Sequence, residues 1–388
     1  MIARPIHASY PLASQSGERV RERGSNFRLF VRSFLDSRVG LAEHEGRIWR
    51  RSSERRYGVL GRVLSTRVKS TILGLLLLLS VAIPSHAQSN SARSLILVLG
   101  APGEPKFAEA FTSWASLWEA AAAKGGLQTS VIGEDTNNPE DDRQRLLELL
   151  TNEVAKPAGE LWLVFIGHGT FDGRSAKFNL RGPDITATNL ADALKPCRRP
   201  LIVIQCASAS GPFLKALSAP GRVIITATRS GSEINATRFG LYLAKSIADP
   251  EADLDKDGQT SLLEAFLSAA RQTEQFYKEE GRLMTEHALI DDNGDGLGTP
   301  PDWFHGVRAV KTATGGKAVD GVRAHQIFLV PGETERQLSP EARARRDELE
   351  LKLSALRLQK AKMKEDEYYS QLENLLVETA KIYQATPP

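Results

Sequence analysis

A histidine and a cysteine stand at the ends of two apolar runs. One run reads Leu161-Trp-Leu-Val-Phe-Ile-Gly-His168-Gly169, and the other Leu201-Ile-Val-Ile-Gln-Cys206-Ala-Ser208-Ala-Ser210-Gly211. A thiol attacks an acyl carbon as its thiolate, and a neighbouring imidazole can take the proton or lower the sulfur's pKa. Attack on a carbonyl creates an oxyanion, which backbone N–H groups at tight turns can receive. Gly169 and Cys206 itself are the expected donors, and glycine at 169 leaves room for a substrate carbonyl. Taken singly, His168 and Cys206 read as ordinary core residues. Together, each closing an apolar run with glycine or small residues beyond it, they read as the minimum equipment of a cysteine protease.

Such a pair works only if the fold brings the two run ends together. Unbroken apolar runs of this kind suit central parallel strands covered on both faces. In open α/β sheets, chemistry gathers beyond the carboxyl ends of neighbouring strands. Strand and helix signals alternate along the chain, which predicts an α/β three-layer sandwich with a mostly parallel sheet. Strands are expected at 95–100, 129–133, 161–166, 201–205 and 223–228. Helices are expected at 105–123, 141–155, 188–194, 212–217 and 238–248. Asp172-Gly173 marks a hairpin turn after the histidine. The fifth strand runs out at Thr228 into the loop Arg229-Ser230-Gly231-Ser232-Glu233.

These pieces resemble the caspase–legumain–gingipain superfamily of cysteine peptidases, and within it the legumain branch that includes the catalytic subunit of the GPI transamidase. The matching segments are Gly167-His168-Gly169 with Asp172-Gly173, Asn189-Leu-Ala-Asp-Ala193, Ile204-Gln205-Cys206-Ala-Ser208, and Ile224-Ile-Thr-Ala-Thr228 leading to Glu233. They fall in order over roughly residues 94–245. The resemblance implies a caspase-like fold, His168 as general base or proton donor, Cys206 as nucleophile, and an acyl-enzyme resolved by water or an amine. It also implies a substrate pocket at Thr228, Arg229, Ser230 and Glu233. The chain departs from the pattern at Gln205, where an acidic residue is frequent, and at Thr228-Arg229, where legumain has a Ser-Ser pair. No basic residue stands in Gly100-Ala-Pro-Gly103 to match legumain's pocket arginine. Asparagine specificity is therefore unsupported, and Arg229 and Glu233 point to opposite substrate charges. The expected function is hydrolysis of protein or peptide substrates by an exported cysteine endopeptidase. A catalytically silent calcium-binding interaction module and a transpeptidase are the rivals.

A second constellation is acidic. Asp253, Asp255, Asp257, Gln259, Ser261 and Glu264 fall at positions 1, 3, 5, 7, 9 and 12 of an EF-hand-like loop, with Gly258 at position 6 for the sharp turn. Asp291, Asn293 and Asp295 repeat the first half of the pattern, with Asp302 at the twelfth place. Pro300-Pro301 forbids a normal exit helix there. Structural calcium is the expected cofactor.

The ends of the chain differ from its middle. Residues 1–67 hold 14 Arg and no Lys. Residues 68–87 carry a basic start, an apolar core over 71–83 and a small-x-small site at Ala87, the three parts of a secretory signal. That core is too short for a membrane span, which needs roughly 20 residues. We expect synthesis to start near Val63 or Val68, residues 1–67 to be non-native or a disordered leader, and the product to be exported to the periplasm or outside the cell. Residues 88–388 then carry 35 Lys and Arg against 41 Asp and Glu, with no basic stripe for nucleic acid. Cys197 and Cys206 flank an extended segment. Nine residues of about 3.3 Å each exceed the roughly 7 Å a disulfide tolerates, so both thiols are expected free. The peptidase domain is expected over 88–337. A helical tail over 338–388 begins at the cap Ser339-Pro340-Glu341. It could pack back on the domain, self-associate or cover the site.

Overall fold

The computed structural model describes residues 93–134, 142–311 and 318–385, all within the unit His86–Pro388. The leader and signal segments expected over 1–87 lie outside the described residues. No helix among the described residues is long and apolar enough to cross a membrane.

Six strands form the central sheet: β1 (Ser94–Leu99), β2 (Gln128–Ile132), β3 (Leu161–Ile166), β7 (Leu201–Gln205), β8 (Arg222–Thr226) and β9 (Leu289–Asp291). Their order is β2-β1-β3-β7-β8-β9. The first five run parallel, and β9 closes one edge antiparallel to β8. Every residue of β1 and β3 is buried, and so is all of β7. Double-sided cover explains why these strands read as continuous apolar runs rather than alternating ones.

Successive side chains feed opposite layers. Leu95, Leu97, Trp162, Val164, Ile202, Ile204 and Cys206 face α1 (Pro105–Gly125), α5 (Phe239–Ser246) and α6 (Leu262–Glu279). Ile96, Val98, Leu163, Phe165 and Val203 face α2 (Asp142–Val154), α3 (Ala187–Leu194) and α4 (Gly211–Leu217). The expected three layers are thus present, and each expected strand and helix appears within a few residues of its expected bounds. A small antiparallel sheet, β4 (Gly169–Phe171), β5 (Ala176–Phe178) and β6 (Ile185–Thr186), stands on the end of β3. Its first turn carries Gly173 at φ +86°, as the Asp-Gly pair requires.

Past α6 the sequence reading missed β9, since three residues give too short a signal. Short helices α7 (Val322–His325) and α8 (Glu333–Gln337) lead into a helical hairpin, α9 (Pro340–Gln359) and α10 (Glu365–Gln384). Ser339 caps α9 through the Ala342 N–H. Leu349 and Leu356 are buried, and Arg346 makes a buried ion pair with Glu335 of α8, so the tail is docked at its start. Cys197 and Cys206 are both free.

Asp142 opens α2 and is fully buried, its carboxylate held by Arg181 Nε at 2.8 Å and a second guanidinium nitrogen at 3.1 Å. Removing one member of a buried pair strands the other's charge. Asp142→Ala should therefore lower stability by about 3 kcal/mol, read as the urea midpoint of unfolding.

Candidate functional site

β3 and β7 are neighbours in register, Phe165 opposite Gln205, so the segments that follow them leave the sheet side by side. The Ser208 hydroxyl joins these segments. It accepts from the Gly169 N–H at 3.2 Å and donates to the Gly169 carbonyl at 3.1 Å. A Cβ on Gly169 would sit 2.3 Å from the Ser208 carbonyl oxygen, so only glycine allows this approach. Ala209 follows in the left-handed region, φ +51°, with its N–H bonded to the Glu233 carbonyl. A non-glycine residue held there is uncommon and costs on the order of 1 kcal/mol or more.

His168 is half-buried against α1. Its ring meets Phe107 edge-on at 4.5 Å and Phe111 at 5.3 Å between centroids. It also hydrogen-bonds the Pro102 backbone. Proline has no N–H, so the partner is the carbonyl and the imidazole is the donor. That bond fixes which ring nitrogen carries the proton and leaves the other free to accept one. Burial pushes the imidazole below its usual pKa, opposed by the Pro102 carbonyl and by Glu104. His168 and Gly167 border a cavity of about 30 Å³ with Phe107, Phe111, Trp114 and Thr237. That is room for a water molecule, not for a peptide.

Cys206 lies deeper. Its side chain is 0% exposed, with Sγ beside Gly240 of α5. Burial, and then the negative charge of Glu286, push the thiol up to about 12. This is the reverse of an activated thiolate. The expected oxyanion donors are also engaged: the Cys206 N–H bonds the Phe165 carbonyl at 2.9 Å and the Gly169 N–H bonds Ser208. Cys206 N–H is committed to sheet pairing because the strand's hydrogen bonds run one residue past β7. Gly169 N–H is held only by a side-chain rotor. One residue before Cys206, the buried Gln205 amide has no hydrogen-bond partner among the described residues, a costly state for a buried polar group.

The pocket residues are corrected in part. Thr228 is buried and ties loops together: its hydroxyl accepts from the Gly211 N–H, pairs with Ser210 and donates to the Ser230 carbonyl. It offers no surface to a substrate. Ser230 pairs with Ser232 at 2.8 Å. Glu233, 12% exposed, is held by Arg229 Nε at 3.2 Å and His287 Nδ1 at 2.6 Å, and also by the Arg229 N–H. Arg229 extends outward, 61% exposed. The two opposed charges noted in the sequence pair with each other, and His287, which the sequence did not flag, hydrogen-bonds the same carboxylate.

In the first acidic loop, carboxylate oxygens of Asp253, Asp255 and Asp257 lie within 4.8 Å of one another. Asp253 accepts from the N–H groups of Lys256, Asp257 and Gly258, folding the loop around it. Burial and Asp255 raise the Asp257 pKa, the usual result of crowding like charges. Glu264 is occupied by Ser261 in a capping box and by the Leu254 and Asp255 N–H groups. His325 of α7 reaches Asp255 at 3.3 Å, an addition the sequence did not suggest. Gln259 uses its side chain on the Gly332 N–H. The second loop repeats the turn: Asp291 accepts from Gly294 and Gly296, Asn293 from Asp295, and Asp295 from Leu297. Asp302 is not its closing residue, for it is exposed and paired with Lys311. Buried Asp320 instead braces this loop, through the Asp292 and Asn293 N–H groups.

No protein family model matches this sequence, and no curated protein matches it. Among solved structures the chain is similar to the Drosophila initiator caspase Dronc, at 13% identity and TM-score 0.36, over 61% of this chain and 94% of that one. It is similar to caspase-1 from Spodoptera frugiperda at 8% identity and TM-score 0.33, over 52% and 87%. The protein GSU0716 from Geobacter sulfurreducens matches at 12% identity and TM-score 0.32, over 46% and 89%.

Gly169→Ala places its methyl against the Ser208 carbonyl. The two segments must part, and stability should fall by about 1–3 kcal/mol, the range for overpacking. Chemical denaturation measures this.

Proposed function

We propose that this chain is a cysteine endopeptidase whose resting site is closed. The observation that supports this reading most is the orientation of His168 by the Pro102 carbonyl, on a segment joined through Gly169 and Ser208 to the one that carries Cys206. An oriented imidazole and a thiol on adjoining segments at one end of a parallel sheet are the parts nucleophilic acyl transfer needs.

In the reaction, the free nitrogen of His168 takes the Cys206 proton. The thiolate sulfur bonds to the peptide carbonyl carbon, and its electron pair moves to oxygen. As the C–N bond breaks, the proton passes from His168 to the leaving amine. Water, deprotonated by His168, then attacks the thioester, and the carboxylic acid leaves as the S–H bond re-forms. The Gly169 N–H can serve the oxyanion once the Ser208 hydroxyl rotates away. The dry thiol and the 30 Å³ cavity mean that turnover needs an opening of the site. Substrates are proteins or peptides. The mutual pairing of Arg229 with Glu233 argues against a strong demand for either charge. Export through residues 68–87 belongs to the same reading, on the strength of their signal-like pattern.

Calcium is the cation the first acidic loop would take: three crowded carboxylates with hard oxygens at EF-hand spacing suit it. Asp253, Asp255 and Asp257 would hold it, with Gln259, Ser261 and Glu264 completing the set. Asp291, Asn293 and Asp295 form the second candidate. The rival reading, a silent calcium-binding interaction module, draws on the buried thiol.

A peptide-library turnover assay decides between them. Cys206→Ala and His168→Ala should each lower the rate by about a thousandfold or more, while a wild-type protein that cleaves nothing leaves the silent module. His168 must be neutral to accept a proton. Because its pKa is lowered, activity should persist somewhat below pH 6.5 and fall only as the pH drops through the depressed value.

Calcium at about a hundredfold excess over its Kd should add about 2.7 kcal/mol to wild-type stability, and much less in Asp257→Asn. Thermal melts with calcium or chelator read this directly; an unmoved wild-type melting temperature removes the calcium site.

A further inference from the structure

Residues 237–240 are fastened over Cys206. Thr237 Oγ1 donates to the Cys206 carbonyl at 2.5 Å. Gly240 lies so close that a Cβ there would sit 2.6 Å from Cys206 Cβ and 3.0 Å from its Sγ. The same segment walls the His168 cavity through Ala236, Thr237 and Arg238. It therefore borders the imidazole's cavity and covers the fully buried sulfur.

The start of α5 is also where charge could be supplied to the sulfur. The first N–H groups of a helix have no partner within it, and they favour a nearby thiolate. Here they are taken. The Glu286 carboxylate accepts from the Arg238 N–H at 2.8 and 2.9 Å and from the Phe239 N–H at 3.0 Å. It takes a further bond from the Tyr277 hydroxyl at 3.0 Å, and it is 1% exposed. A carboxylate with this many donors is firmly placed, three residues before β9 and next to the first turn of α5.

We propose that Glu286 is a latch on the Cys206 site: its carboxylate pins the start of α5 across the sulfur and cancels the helix-end charge, so the nucleophile stays a thiol until Glu286 is withdrawn or neutralised. The latch takes its meaning from the peptidase reading and deepens it. Glu286 acts through Cys206 and is a positioning residue. Its influence has the sign the surroundings require, since after burial it is the Glu286 charge that raises the thiol's pKa. Among the other titratable groups around it, Tyr242 of α5 also feels the Glu286 charge. Tyr277 comes from α6, and Arg238 turns its guanidinium onto the Phe276 ring at 5.0 Å. His168 and Trp114 line one cavity with Arg238, and the Glu233–His287 pair begins one residue on. Burial holds the Glu286 carboxyl above its usual pKa, and the Phe239 and Arg238 N–H groups pull it back.

The test uses Cys197→Ser protein, in which Cys206 is the remaining thiol. Iodoacetamide labelling of Cys206 is followed by mass spectrometry against pH, with and without Glu286→Gln. The variant's profile should level off at a pH where the parent still climbs, and labelling at any lower pH should be about tenfold faster for each unit the midpoint falls. A folded Glu286→Gln protein with an unmoved midpoint overturns the latch. So does a uniform gain in rate at every pH, which is mere loosening. If Glu286→Gln does not fold, Glu286→Asp draws the charge back by one methylene and should give a smaller shift in the same direction; no shift overturns the proposal. Peptide turnover is measured in parallel. A lowered midpoint with no cleavage by any form keeps the latch and removes the peptidase. Cleavage by wild type with an unmoved midpoint keeps the peptidase and removes the latch.

Discussion

The parallel pairing of β3 with β7 is the constraint on which the rest depends. Both strands are buried from end to end, so neither can slide or flip without exposing a row of large apolar side chains. Once they are paired, the segments that leave them have no choice of neighbour. Gly169 and Ser208 must meet, and the glycine is what lets the backbones approach. The sheet order places these ends near the point where the chain reverses its winding, between β1 and β3, which is where open sheets leave a crevice. Pro102 and α1 fill one side of that crevice. The His168 ring is held there by two phenylalanines and one carbonyl.

The same burial that fixes the positions works against reactivity. A sulfur beside Gly240, inside the core layer that holds Trp114 and Phe239, is well packed and poorly solvated, and its anion has little to stabilise it. Two groups of opposite sign compete for control of it. The amide end of α5 favours the thiolate, and the Glu286 carboxylate opposes it from the same place. Close to Cys206 in the chain stand Ala209 in a left-handed conformation and Gln205 with an unpartnered amide. Folds tolerate such costs where a site needs them and seldom elsewhere.

Much of this arrangement could be read from the sequence, because its signals are local. Apolar runs located β1, β3, β7 and β8, and a Ser-Pro-Glu start located α9. The aspartate spacing located both acidic loops, since a turn that wraps its own first carboxylate is written in six residues. What stayed hidden is long-range. Glu286 meets Phe239 across 47 positions, and Asp320 meets Asp292 across 28. Neither lies in a pattern with a period. Thr228 was misjudged for a related reason: its place at a strand end suggests a pocket wall, but its hydroxyl is consumed by the turn at Gly211. His287 and Pro102 act through hydrogen bonds to Glu233 and His168, which no spacing rule announces.

The two edges of the central sheet are unlike. At one, Ile290 of β9 exchanges both of its backbone hydrogen bonds with Thr299, so the outer rim of that strand is already satisfied within the chain. At the other, β2 carries exposed Gln128 and Thr129, and among the described residues no strand lies beyond it. An unpaired rim is the surface by which sheets join. Among the described residues the central sheet has one such rim, so joining by strand addition across it ends at two copies, and the small bridge at Ile290 withholds the second edge that growth into a filament would need.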